Sequence, residues 1–130
     1  MKLYYLTHPV RGDEHFSEEE NLAHALKVQK ILFEAGLNVV NPWFTYPTLY
    51  PDVIDDADLT RFIALDREAA RRIGHIVQTG HRVSSGMRME ADAVREIGGE
   101  ILDFVGVPDR ALADAVRKTL SNKQSAVTPA

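Results

Sequence analysis

The sequence contains no cysteine. Disulfides, thiolate nucleophiles and cysteine-ligated zinc are therefore excluded, and a reducing compartment is permitted. Positive charge is also scarce, since 15 lysines and arginines against 19 acids leave a net charge of −4. No global basic field draws such a chain onto a nucleic acid polymer or an anionic membrane. No apolar run approaches membrane-spanning length, and Met1 to Leu6 lacks the form of a signal segment. Neither a Gly-x-Gly-x-x-Gly fingerprint nor a P-loop occurs, which leaves dinucleotide and triphosphate binding without support. The expectation is a cytoplasmic protein that needs no cofactor and has neither nucleic acid polymer nor membrane as partner.

What remains is the balance of a folded domain, with 45% hydrophobic and 26% charged residues in a chain of 130. That length buries roughly two thirds of the unfolded surface in a single core. The expected organisation is one domain over residues 1–120 and a polar, frayed tail over 121–130.

Along the chain, strand-like and helix-like patterns alternate. Leu3 to Thr7 is a short apolar run, broken by Pro9 and Gly12 into a loop reaching Phe16. Ser17 followed by Glu18, Glu19 and Glu20 has the form of a capping box, and apolar residues then recur at helical spacing until Gly36. Leu37 to Val40 reads as a second strand, ended by Asn41-Pro42, and the stretch with Trp43, Phe44, Tyr46 and Tyr50 reads as a loop. A helix from about Asp55 to Ile73 stops at Gly74, His75 to Thr79 is a third strand, and Gly80 to Ser85 is a turn. Gly86 to Ile97 is then helical, Glu100 to Val105 a strand, and Asp109 to Leu120 the last helix. Parallel neighbours need crossovers of helical length, so the pattern predicts a Rossmann-like (flavodoxin-like) three-layer α/β domain with a four- or five-stranded parallel sheet. Ligands in such folds bind at the carboxyl ends of the strands.

Two acids fall where apolar residues belong. Glu90 lies within the stripe of Met87, Ala91, Val94 and Ile97, and Asp66 among Phe62, Ile63, Ala70 and Ile73. Burying a carboxylate costs several kcal/mol or more unless it is paired. One explanation is structural ion pairing, with Arg11 or Arg88 as partners. The other is catalytic, because two converging carboxylates are what cleavage of a glycosidic bond requires. In that reading Glu90, near a helix start, stays ionised and acts as nucleophile, and Asp66 handles the proton. Five histidines (His8, His15, His24, His75 and His81) form no His-x-x-x-His pair, so no metal is expected.

Several of these residues stand in a familiar arrangement. Tyr5-Leu6-Thr7-His8-Pro9-Val10-Arg11-Gly12, Asp66 eighteen positions before Ser84 (84 − 66), and Ser84 six before Glu90 (90 − 84) with Gly86 between them resemble the nucleoside 2-deoxyribosyltransferase superfamily. The likeness is greatest to its branch of nucleoside 5′-monophosphate N-glycoside hydrolases, and it spans roughly Leu3 to Val105. It implies hydrolysis of the N-glycosidic bond of a (deoxy)nucleoside 5′-monophosphate, with Glu90 as nucleophile, Asp66 assisting, and Tyr5, His8, Arg11, Ser84 and Gly86 on the substrate. A nucleoside 2-deoxyribosyltransferase and a catalytically silent nucleotide-binding module are the alternatives. The partner implied is a small nucleotide or nucleoside, and the assembly a homodimer or dimer of dimers.

The serine at position 84 has a physical meaning in that context. Where transferases carry an aspartate, a hydroxyl beside helix amides attracts a substrate phosphate that an acid would repel. Arg11 would add a bidentate clamp and His8 a donor. Trp43, Phe44, Tyr46 and Tyr50 would either stack on a base or pack a lid or subunit contact. The sequence departs from the family at Gly74-His75-Ile76-Val77-Gln78, where relatives carry an acid followed by several valines, and after Val105 it does not show the asparagine or serine that a neighbouring subunit contributes in relatives.

Overall fold

The computed structural model describes residues 1–50, 52 and 54–127, the side chains of 124–127 excepted. Four strands, β1 (Tyr4–Thr7), β2 (Val39–Val40), β3 (His75–Gln78) and β4 (Glu100–Asp103), form a parallel sheet in the order β2-β1-β3-β4. Five helices connect and flank them: α1 (Glu18–Glu34), α2 (Thr45–Leu49), α3 (Asp56–Ile73), α4 (Ser85–Glu96) and α5 (Asp109–Val127). Helix α1 packs on α5 and α3 on α4, giving a helical layer on each face of the sheet. The fold is thus the predicted Rossmann-like, flavodoxin-like α/β domain, with four strands among the described residues. None of its described helices is long and apolar enough to cross a membrane.

Local chemistry accounts for the boundaries. The Ser17 side chain accepts from the Glu20 amide at 3.1 Å and the Glu20 carboxylate accepts from the Ser17 amide at 3.1 Å, which is the expected capping box. Asp55 caps α3 through the Ala57 amide, and Gly74, at φ 81°, ends it in the left-handed conformation that a side chain would disfavour. Ile76 and Val77 are fully buried, and β3 lies between β1 and β4 despite the polar residues at its ends. The core is built around Tyr5, Leu6, Leu32, Ile76, Val77 and Val94.

Two expectations are corrected. The aromatic stretch is not a loop: Pro42–Phe44 is a 3-10 turn that runs into α2. Pro42 at a first helical position and Pro47 in a first turn forfeit amides that have no helical acceptor there, so the prolines do not prevent it. The tail is helical as far as Val127, because no proline intervenes before Pro129 and Lys123 bonds the Glu100 carboxylate of β4 at 2.5 Å. Residues 128–130 of the expected tail lie outside the described residues.

Candidate active site

In a sheet of order 2-1-3-4 the chain reverses its direction of winding between β1 and β3, and the crevice beyond their carboxyl ends is the natural ligand site. Side chains alternate along a strand, so Tyr5 and Thr7 share the face of β1 covered by α3. The Tyr5 hydroxyl donates to one oxygen of Glu90, and Thr7 Oγ1 donates to the other at 2.7 Å. Glu90 comes from the second turn of α4 and is only 9% exposed. Asp66, from the middle of α3, faces the same cavity of about 280 Å³. That is close to the roughly 300 Å³ at which small-molecule sites begin.

The structural explanation for the two acids fails. Among the described residues neither Arg11 nor Arg88 forms an ion pair with Glu90 or Asp66. Burial pushes Glu90 up to about 7, against hydrogen bonds from Tyr5 and Thr7 that favour its charged form. Burial also pushes Asp66 up to about 7, and repulsion from Glu90 adds to it. The helix start expected to keep Glu90 ionised is not what favours its charge; the Tyr5 and Thr7 hydroxyls are. The dipole acts within the first turn, Glu90 lies beyond it, and desolvation prevails. Such neighbours titrate as a pair and hold one proton between them near neutrality. Tyr5 and Thr7 stabilise charge on Glu90 and, among the described residues, no comparable donor reaches Asp66, so the shared proton belongs to Asp66. The Tyr5 hydroxyl is itself held far above its ordinary value by burial and then by both carboxylates, which keeps it a donor.

A polar end adjoins the carboxylates. Ser84 caps α4, its Oγ accepting from the Met87 amide at 3.2 Å, so the hydroxyl hydrogen remains free to donate. The amides of Ser85 and Gly86, in the first turn, have no helical carbonyl to pair with. Gly86 is exposed, and a side chain there would meet nothing nearer than Ser84 Oγ at 4.0 Å. Arg11 lines the same cavity from an exposed loop whose backbone Asn21 fixes by donating to the Arg11 carbonyl at 3.0 Å.

His8 also lines the cavity, but not as a free donor. Its Nδ1 bonds the Pro9 carbonyl at 2.8 Å and its Nε2 meets His24 Nδ1 at 2.8 Å, while His24 Nε2 meets the Asp109 carboxylate at 2.9 Å. The Pro9 and Asp109 oxygens each require a hydrogen, and one more lies between the rings. Burial lowers His8 to about 4. Partial burial opposes ionisation of Asp109, yet the bonds from His24 and Lys27 hold its carboxyl below the usual range.

Of the aromatic residues, Trp43 and Tyr46 line the cavity, whereas Phe44 packs on Trp43 and Tyr50 on Phe62. The Trp43 indole N–H bonds the Leu6 carbonyl at 2.6 Å, fixing the ring against the end of β1. Thr7, Arg67, Arg82 and Asp13 escaped the sequence reading. Thr7 was findable, being two residues from Tyr5 and so on its face. Arg67 lines the cavity and pairs with Glu96 at 3.6 Å.

The chain shows no significant match to any of the family models, curated proteins or solved structures with which it was compared.

Proposed function

We propose that this protein hydrolyses the N-glycosidic bond of a (deoxy)nucleoside 5′-monophosphate and releases the free base. The observation that carries the reading is the Glu90–Asp66 pair, two carboxyl groups facing one cavity, with hydrogen-bond donors, among the described residues, on Glu90 alone. Ionised Glu90 attacks the anomeric carbon as the bond to the base breaks, and Asp66 gives its proton to the departing base nitrogen. Water, losing a proton to Asp66, then attacks the same carbon and releases the sugar phosphate and the Glu90 carboxylate. Tyr5 and Thr7 orient Glu90 throughout.

The 5′-phosphate is assigned to the Ser84 hydroxyl and the first-turn amides of α4, where a helix start favours an anion. Trp43 and Tyr46 supply flat apolar surface for the base. A homodimer or dimer of dimers and a cytoplasmic location belong to the same proposal and rest on the sequence resemblance. Chromatography of a panel of nucleoside and deoxynucleoside 5′-monophosphates after incubation with the protein tests it. Free base with an equal amount of sugar phosphate is expected. With a second base present, exchange of bases identifies a 2-deoxyribosyltransferase instead, and no product from any nucleotide defeats the hydrolase reading.

A further inference from the structure

Arg82, in the turn between β3 and α4, lines the cavity two residues before Ser84. Its Nε donates to Asp13 Oδ2 at 2.6 Å. Among the described residues, its two terminal nitrogens have no hydrogen-bond partner. Arg82 therefore keeps the end of its planar fork, the part that matches two oxygens of a phosphate or carboxylate.

Asp13 does not line the cavity but is fixed four times over. It accepts from the His15 amide at 2.7 Å, the Phe16 amide at 2.9 Å, His81 Nε2 at 2.9 Å and Arg82 Nε. The Phe16 ring stands edge-on to His81 with centroids 4.7 Å apart, closing that side of the cluster. The Phe16 amide first, then His81, the His15 amide and Arg82, hold the Asp13 carboxyl well below the usual carboxylate range. One carboxylate thus joins the loop after β1 to the loop after β3. A guanidinium pinned through Nε forms its hydrogen bonds with less loss of side-chain freedom than a free one.

We propose that Arg82 is a specificity residue that grips the phosphate of the substrate through its terminal nitrogens, and that Asp13 is the positioning residue that aims it. This deepens the hydrolase reading and rests on it for the identity of the ligand. Ser84 and the α4 amides address the phosphate from the helix, Arg82 from the adjoining turn. The arrangement discriminates for a phosphorylated sugar over the bare one, whatever base is attached.

Sugar phosphates test this independently of base preference and of turnover. Calorimetric titrations of ribose 5-phosphate, 2-deoxyribose 5-phosphate and the two unphosphorylated sugars would be made with the wild type, Arg82→Gln, Arg82→Lys and Asp13→Asn. The wild type is expected to bind at least one sugar phosphate more tightly than its parent sugar. Arg82→Gln should weaken that binding about tenfold or more while leaving the sugar unchanged. Arg82→Lys, which keeps the charge but loses the fork, and Asp13→Asn, which keeps the turn, should each lose a smaller part. Melting curves establish that each variant is folded; should Asp13→Asn not fold, the two Arg82 variants decide. Equal losses for sugar and sugar phosphate, no loss in Arg82→Gln, or no sugar phosphate binding by the wild type overturns the proposal. Sugar phosphate binding that behaves as expected, with no base released from any nucleotide, upholds Arg82 and defeats the hydrolase reading alone.

Discussion

Tyr5 and Glu90 stand 85 positions apart in the chain, and the hydroxyl of one is bonded to the carboxylate of the other inside the core. That bond gives the two acids of the cavity unequal environments. Replacing Tyr5 by Phe removes a donor that favours the charged form of Glu90. The proportion of ionised Glu90 at neutral pH should fall, and kcat with it by about 10- to 100-fold, on the scale of one hydrogen bond to a charged group. In the pH profile the acidic limb should move upward; a lower rate with an unmoved limb would mean that Tyr5 only shapes the cavity.

A second consequence is the form of that profile. Glu90 and Asp66 are both raised to about 7, and activity needs one ionised and one protonated. The rate of base release should therefore peak near neutrality and fall on both sides. Steady-state kinetics from pH 5 to 9 shows whether it does. A rate that rises to a plateau with no alkaline decline would remove Asp66 from its acid role.

The same pair affects stability in a fixed direction. Each acid binds its proton more tightly folded than unfolded, so its contribution is fully present below about pH 4 and is lost as pH rises through about 7. Glu68 and Glu100 act oppositely, being lowered to about 2. Arg71 and Arg72 hold Glu68, and Lys123, Tyr4 and Lys2 outweigh the burial of Glu100. Their contribution is lost only as pH falls below about 4. His8, lowered to about 4, opposes this between about pH 4 and 6.5, but one imidazole against two carboxyls leaves the wild type declining in stability to urea up to about pH 7, and Glu90→Gln should flatten the slope. An unchanged slope in that variant would place the titration elsewhere.

Much of this was legible in the sequence, for reasons that differ by residue. Glu90 and Asp66 broke helical stripes, and a stripe is a local property that four or five neighbours define. Thr7 was hidden only because strand alternation was not carried one step beyond Tyr5. The Asp13–Arg82 bond was not legible at all, since two loops 69 positions apart meet only once the sheet is assembled. Helix α2 was missed because proline was read as a breaker without regard to its place in the first turn. The extension of α5 depended on the ion pair between Lys123 and Glu100, likewise a product of the fold.

Packing offers a check away from the cavity. A methyl group at Gly99 would lie 2.0 Å from the Gly74 carbonyl oxygen and 2.6 Å from Val94 Cγ1. Backbone atoms cannot yield as a side-chain tip does, so Gly99→Ala should cost about 1–3 kcal/mol or more. Thermal unfolding measures it; a melting temperature within a degree or so of the wild type would contradict the close approach of α4, β4 and the end of α3.

Trp43 links stability to the site. Strand β2 stops at Val40, and the Trp43 indole takes the Leu6 carbonyl near that end. Trp43→Phe leaves this oxygen without its donor, at about 1–3 kcal/mol, and should loosen the wall beside the cavity. Denaturant midpoints for the variant and wild type test the first effect, and KM for the nucleotide tests the second.

The central claim is that Glu90 attacks the anomeric carbon of a bound nucleotide. The most direct measurement is base release by the wild type and by Glu90→Gln, each verified as folded, over the full panel of 5′-monophosphates. The wild type should release base from at least one nucleotide, and the variant, which keeps the shape but not the nucleophile, should be slower by about 10³-fold or more. A folded wild type that releases none, or a Glu90→Gln variant that is as fast, would contradict it.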